Sequence, residues 1–209
     1  MNGGLMGSHS IGGATAGPTL HLWRHPRPRG AHGRCIGQTD LPVDRRKAKR
    51  LAHRIRQQAR RHGWPREVHS SPLQRCALVG RILRRWGWRH HVHADWSEMN
   101  FGQWEGRRWA DIPGEAVEAW VQDFAHHAPG QGESLVDLAG RVARGAQRGR
   151  ALGDGGHMLV VAHAGVMQWL QWRHVHPAGW PEAAQWPAAP RYLACWHLAC
   201  PGLPPPPNQ

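Results

Sequence analysis

Apolar positions along the chain fall into short continuous runs that alternate with stretches of helical spacing. Thr19-Leu-His-Leu-Trp23 is strand-like and opens into a Pro/Gly/Arg-rich loop over 24–40. Residues 44–62 set Ala48, Leu51, Ala52, Ile55 and Ala59 at helical spacing beneath an arginine-covered outer face. Glu67-Val-His-Ser70 reads as a brief strand ending in Ser-Ser-Pro, and Cys76, Val79, Leu83 and Trp86 mark a second helix. His91-Val-His-Ala94 is a weak strand. Ala116 to Phe124 is a short acidic helix between Pro113-Gly114 and Pro129-Gly130. Ser134 fits the N-cap of a helix carrying Leu135, Leu138, Ala139, Val142 and Ala146. Met158-Leu-Val-Val-Ala162 is a strand apolar at every position, Val166 to Arg173 a helix, and Arg191 to Leu198 a closing strand.

Strands that are apolar throughout have both faces buried, which is the habit of parallel sheets covered by helices on each side. The pattern therefore predicts an α/β fold, a three-layer α/β/α sandwich with a mostly parallel sheet. A small helical cap is expected around 99–130. The glycine-rich residues 1–18 read as a flexible leader and the proline-rich 199–209 as an extended tail, leaving one folded domain over 19–198.

Composition narrows the class. Of 209 residues, 40% are hydrophobic and 20% charged, enough apolar material for a packed core. No run approaches the length needed to cross a bilayer, and no basic region followed by an apolar stretch opens the chain, so a cytoplasmic protein is expected. Four scattered cysteines, with no CxxC pair, argue against a zinc knuckle or a disulfide framework.

The net charge of +13 is unevenly placed: residues 1–94 carry +16 and residues 95–209 carry −3. Arginine supplies 25 of the 27 basic residues, a bias that a GC-rich coding sequence would produce on its own. An anionic substrate held by the basic half is the functional alternative. The basic run from Arg45 to Arg61 lacks the interleaved aromatics of a single-strand binder and reads as a solvated face. His90, His91 and His93 offer too few ligands on one strand face for a metal.

Ligands of such sheets bind beyond the carboxyl ends of the strands. Arg24-His25 ends the first strand, Ser70-Ser71-Pro72 and Arg75 follow the second, and His163-Ala164-Gly165 follows strand 158–162. Two arginines and two histidines would then meet at one edge, a set suited to a phosphoryl group. There is no Walker loop.

Leu22-Trp-Arg-His-Pro26, Ser70-Ser-Pro-Leu-Gln-Arg75, Glu98-Met-Asn-Phe-Gly-Gln-Trp-Glu-Gly106, Gly132-Glu-Ser134 and Val161-Ala-His-Ala-Gly165 resemble, in order, the motifs of the histidine phosphatase superfamily (phosphoglycerate mutase-like). With Gly33-Arg-Cys-Ile-Gly-Gln-Thr-Asp-Leu-Pro42, the likeness is greatest to the α-ribazole phosphatases. The resemblance implies a phosphomonoesterase without metal or cofactor, acting through a phosphohistidine on His25. Arg24, Arg75 and His163 would bind the phosphoryl oxygens, with His163 also counted as catalytic. Glu98 would be the general acid, although Glu105 stands close by and fits a structural partner.

The resemblance further implies α-ribazole 5′-phosphate or adenosylcobalamin 5′-phosphate as substrate, in cobalamin synthesis. Another small phosphomonoester, a mutase reaction, and a nucleic-acid-binding protein on an inactive scaffold are the alternatives. A small phosphorylated substrate is the expected partner. A membrane and nucleic acid are not, and a homodimer is compatible. Pro26 replaces the family's glycine, and Pro28 a common hydroxyl residue, so Arg27 or Gln38 would have to supply the lost phosphate contact. Trp96, Trp104, Trp109 and Trp120 surround the cap region, where they would either stack on an aromatic substrate or cover a core.

Overall fold

A computed structural model describes residues 18–152 and 156–199. Five strands, β1 (Thr19–Arg24), β2 (Glu67–Ser70), β3 (Arg89–Val92), β4 (His157–Ala162) and β5 (Cys195–Ala199), form one sheet in the order β3-β2-β4-β1-β5. The first four are parallel, and β5 pairs antiparallel with β1 at the edge. Helices α1 (Arg45–His62) and α2 (Gln74–Arg85) cover one face. Helices α4 (Leu135–Arg150) and α5 (Ala164–Val175) cover the other. The α/β three-layer architecture expected from the sequence is the one observed.

Strand β4 shows why the pattern takes this form. Met158, Val160 and Ala162 pack with Leu138, Val142 and Val166 on one side. Leu159 and Val161 pack with Leu51, Ile55 and Val79 on the other. A central strand with two covered faces has no solvent side, so no polar alternation develops.

Local signals set the helix boundaries. Asp44 caps α1 by accepting the Arg46 and Lys47 N–H groups, and Gly63 ends it at φ 69°, in the left-handed region that glycine adopts without a Cβ penalty. Ser134 and Asp137 form a reciprocal capping box at the start of α4, so the serine acts as a cap.

Segment 99–130 comprises short 3₁₀ turns at Gly102–Trp104, Trp109–Asp111 and Pro129–Gln131 together with helix α3 (Gly114–Gln122). It has its own small core of Cys35, Trp104 and Ile112, against which Phe101, Val117 and Trp120 pack. Cys35 is the small buried filler there, and burial pushes its thiol up to about 12.

Several boundaries differ from the sequence reading, and α5 runs over Ala164–Val175 rather than Val166 to Arg173. Helix α3 starts two residues early because Pro113 takes the N-cap position. Strand β3 stops at Val92, since Ala94 begins a 3₁₀ turn. The closing strand begins at Cys195 rather than Arg191, because Leu193 turns at φ 67° and the Ala194 N–H bonds back to Arg191. That turn lays Tyr192 beside β1, and β5 continues to Ala199. The expected leader and tail, and Cys200, fall outside the described residues apart from Pro18 and Ala199. No helix among the described residues is long and apolar enough to cross a membrane.

Candidate active site

Strands β2, β4 and β1 lie side by side and parallel, so their carboxyl ends deliver three loops to one place. The loops carry Arg24-His25 after β1, Ser71 to Arg75 after β2, and His163 to Gly165 after β4. His25 is 5% exposed and His163 fully buried, with ring centroids 4.9 Å apart.

The protons on both rings follow from their partners. His25 Nδ1 lies 2.7 Å from the Pro26 carbonyl, which can only accept, so Nδ1 carries the proton and Nε2 the free lone pair. His163 Nδ1 receives the Nε–H of Arg75 at 3.3 Å, so its proton sits on Nε2 and is donated to Ser71 Oγ at 2.7 Å. Burial and then the Arg75 charge hold both histidines well below the ordinary value, with Arg24 adding to the effect. Both rings are neutral near pH 7, and only His25 retains an uncommitted ring nitrogen. Pro26 is thus accommodated, because its carbonyl is what orients the ring.

Arg75 is buried and gives one N–H each to His163, the Thr39 carbonyl and the Gly37 carbonyl. Guanidinium has five, so two remain. Arg24 donates to the Pro190 carbonyl at 2.5 Å and lies over the Tyr192 ring, 4.0 Å from its centroid. Its Nε–H is buried without a partner among the described residues. The site therefore holds permanent positive charge with donors to spare, an arrangement that suits a bound oxyanion.

The two nearby carboxylates have different tasks. Glu105 accepts from the backbone of Gly37, Gln38, Thr39 and Phe101 and from Thr39 Oγ1. Burial alone would raise its pKa, yet the Thr39 hydroxyl and these backbone donors hold it below the ordinary value. It is the anchor of loop 37–39. Among the described residues Glu98 accepts only the Gly165 N–H and its neighbour's Met99 N–H, both at 3.1 Å, and it borders an open cavity. Of the two, Glu98 is the one free to move a proton.

Gln38 donates its side-chain amide to the Glu98 carbonyl at 3.1 Å, so it is placed at the rim as a support of the Glu98 loop. Arg27 lies on the outside, against His32. The sequence reading missed Arg141. This buried arginine forms a bidentate pair with Glu133 and donates to the carbonyls of Asp95, Ser97 and Glu98. Glu133 also accepts the Asn100 N–H. The Gly132-Glu-Ser134 motif thereby fixes the loop bearing Glu98. Tyr192 was missed as well; its signal is being the chain's single tyrosine, beside Pro190-Arg191.

A cavity of about 170 Å³ opens beside Glu98 and Gly165, walled by Phe101, Trp120, Phe124, Leu135 and Trp186. Of the four tryptophans expected around the cap, only Trp120 lines it. Trp96 is buried against α4, Trp104 is buried in the small core, and Trp109 is 41% exposed. His90 donates to or accepts from Ser70 Oγ at 2.8 Å, while His91 approaches Glu67 at 3.0 Å. Among the described residues no group of three or more such side chains is placed to hold a metal ion.

The sequence profile of the histidine phosphatase superfamily (branch 1) matches residues 20–195. The chain belongs to that superfamily. The adenosylcobalamin/alpha-ribazole phosphatase of Salmonella typhimurium (strain LT2) is 32% identical over 114 residues, which are 53% of this chain and 56% of that protein. The chain thus spans little more than half the length of that curated relative. The alpha-ribazole phosphatase from Shigella flexneri superposes with a TM-score of 0.68 at 24% identity, covering 86% of this chain and 89% of that one. That likeness speaks for the fold. The native structure of a mycobacterial glucosyl-3-phosphoglycerate phosphatase gives a TM-score of 0.64 at 26% identity, covering 80% of this histidine phosphatase and 82% of that chain.

Proposed function

We propose that this histidine phosphatase hydrolyses phosphomonoesters in the cytoplasm through a phosphohistidine formed on His25. The observation that carries the reading is the His25 hydrogen bond to the Pro26 carbonyl, which leaves the Nε2 lone pair free beside Arg24 and Arg75. In the first step Nε2 attacks phosphorus, the ester P–O bond breaks, and Glu98 gives its proton to the departing alkoxide. In the second, Glu98 takes a proton from water, the oxygen bonds to phosphorus, and the P–N bond breaks to release phosphate. Arg24 and the two spare N–H groups of Arg75 offset the charge spread over the equatorial oxygens. These fixed charges suit a reaction that needs no metal. His163 positions Arg75 and reaches a phosphoryl oxygen only by exchanging Ser71 for it.

For the substrate, the aromatic and aliphatic walls beside Glu98 favour a leaving group bearing an apolar ring. This supports α-ribazole 5′-phosphate or adenosylcobalamin 5′-phosphate over glucosyl-3-phosphoglycerate, whose carboxylate and sugar hydroxyls would lie unpaired against Phe101, Phe124 and Trp186. The test is phosphate release, in EDTA, from α-ribazole 5′-phosphate, 3-phosphoglycerate and a sugar phosphate. Turnover of the first at least tenfold above the others is the expected order, roughly what one well-matched apolar pocket can supply. A preference for the charged substrates would overturn the assignment.

A further inference from the structure

At the other end of the sheet, where β2 begins, a second cavity of about 320 Å³ lies between the C-terminal ends of α1 and α2. Three arginines, Arg56, Arg60 and Arg66, and three tryptophans, Trp64, Trp86 and Trp88, line it. Trp88 is buried as its floor, whereas Trp64 and Trp86 are half-buried walls. The Arg56 guanidinium sits 5.6 Å from the centroid of the Trp86 ring.

None of these three arginines is paired with a carboxylate among the described ion pairs, and α1 has no acid in its sequence. The position of Arg60 in the last turn is partly explained by the negative end of the helix dipole. That account does not reach Arg56, a turn earlier, or Arg66, beyond the helix. Like charges converging on one hollow repel each other unless an anion enters. The indoles add what a plain phosphate site does not need: flat apolar faces beside the guanidinium groups.

We infer that this hollow is a second ligand site, separate from the His25 centre, for a nucleotide unit whose base lies on indole and whose phosphate meets the arginines. The unit comes either as a free nucleotide or as one residue of a single-stranded chain, and the chemistry is shared. The aromatic interleaving absent from the run Arg45–Arg61 is restored by the fold, which brings Trp86 and Trp88 from the end of α2 to the arginines of α1. The inference does not depend on the catalytic reading.

The test is calorimetric titration of the full chain with three probes. One is the methyl phosphodiester of adenosine 5′-phosphate and another a short single-stranded DNA with hydroxyls at both ends; neither offers a monoester to the His25 centre. Sodium sulfate serves as the ringless anion. Saturable binding of the diester, or of the DNA alone, supports the free or the chain-borne source respectively. In either case affinity should fall as salt rises, and by about tenfold in Trp86→Ala, as expected for one lost stacking surface. The exposed double substitution Arg60→Gln with Arg66→Gln should weaken binding comparably while leaving phosphatase turnover unchanged. Three results would overturn the inference: no binding of either nucleotide probe, binding unaltered in the double variant, or sulfate competing as well as the nucleotide at equal concentration.

Discussion

The backbone N–H of Gly165 donates to the carboxylate of Glu98 at 3.1 Å, tying the loop after β4 to the residue assigned the proton transfer. A Cβ at position 165 would lie 2.5 Å from Glu98 Oε1. The glycine is required for that approach, since its backbone is otherwise ordinary helix. Gly165→Ala should displace the carboxylate and lower kcat by about a hundredfold, the usual cost of a misplaced catalytic group. Steady-state kinetics beside a thermal melt would check it, with the melt little changed.

Through the Glu98 carbonyl and the Asn100 N–H, Arg141 and Glu133 hold the backbone of the Glu98 loop from behind. Both are largely buried, and Arg141→Met would strand the Glu133 charge. A loss of about 3–5 kcal/mol in unfolding free energy is expected from urea titration, the range typical of breaking a buried pair from one side. Pairing both changes, Arg141→Met with Glu133→Leu, should recover much of the stability but not the turnover, because the carbonyls of residues 95–98 still lose their donor.

Stability should depend on pH in one direction. His21 and His69 are held down to about 3 and His90 to about 4, in each case first by burial and then by neighbouring histidines or, for His90, Arg84. Above the unfolded value of 6.5 neither state binds a proton at these groups, so they leave stability level. Below it the unfolded chain takes up protons that the folded chain refuses, and stability falls until the folded values are reached. Urea midpoints should therefore be flat above pH 6.5 and decline between 6.5 and about 3. His69→Gln should make the decline shallower.

The cavity beside Glu98 should govern the leaving group alone. Trp186→Ala removes one wall without touching the charged cluster, so KM for an aromatic-bearing phosphomonoester should rise about tenfold. Turnover of a small phosphate such as glycerol phosphate should stay within about twofold. A parallel fall for both substrates would show that Trp186 supports the fold instead of the pocket.

Much of this site was legible in the sequence because strand ends are marked twice, by an apolar run and by the charged residues that stop it. Arg24-His25 and His163 each follow such a run, Arg75 comes five residues after the less apolar Glu67-Val-His-Ser70, and adjacency of β2, β4 and β1 does the rest. The supports were not legible. Arg141 lies within α4 with no local mark, and its partner carbonyls are 43 to 46 residues away. Tyr192 reaches Arg24 only because Leu193 adopts a left-handed turn, which nothing in Arg191-Tyr-Leu-Ala194 announces. The tryptophans stayed open between two roles because their density hides which indoles serve a core, as Trp96 and Trp104 do, and which line a hollow, as Trp120 does.

The most direct test is acid-labile, alkali-stable phosphoenzyme after rapid quenching with radiolabelled substrate, compared between the wild type and His25→Ala. Label on His25 in the wild type, with neither label nor turnover in the variant, is the result predicted. Turnover in the variant, or a wild type that hydrolyses substrate while no phosphohistidine forms, would contradict the nucleophilic role of His25.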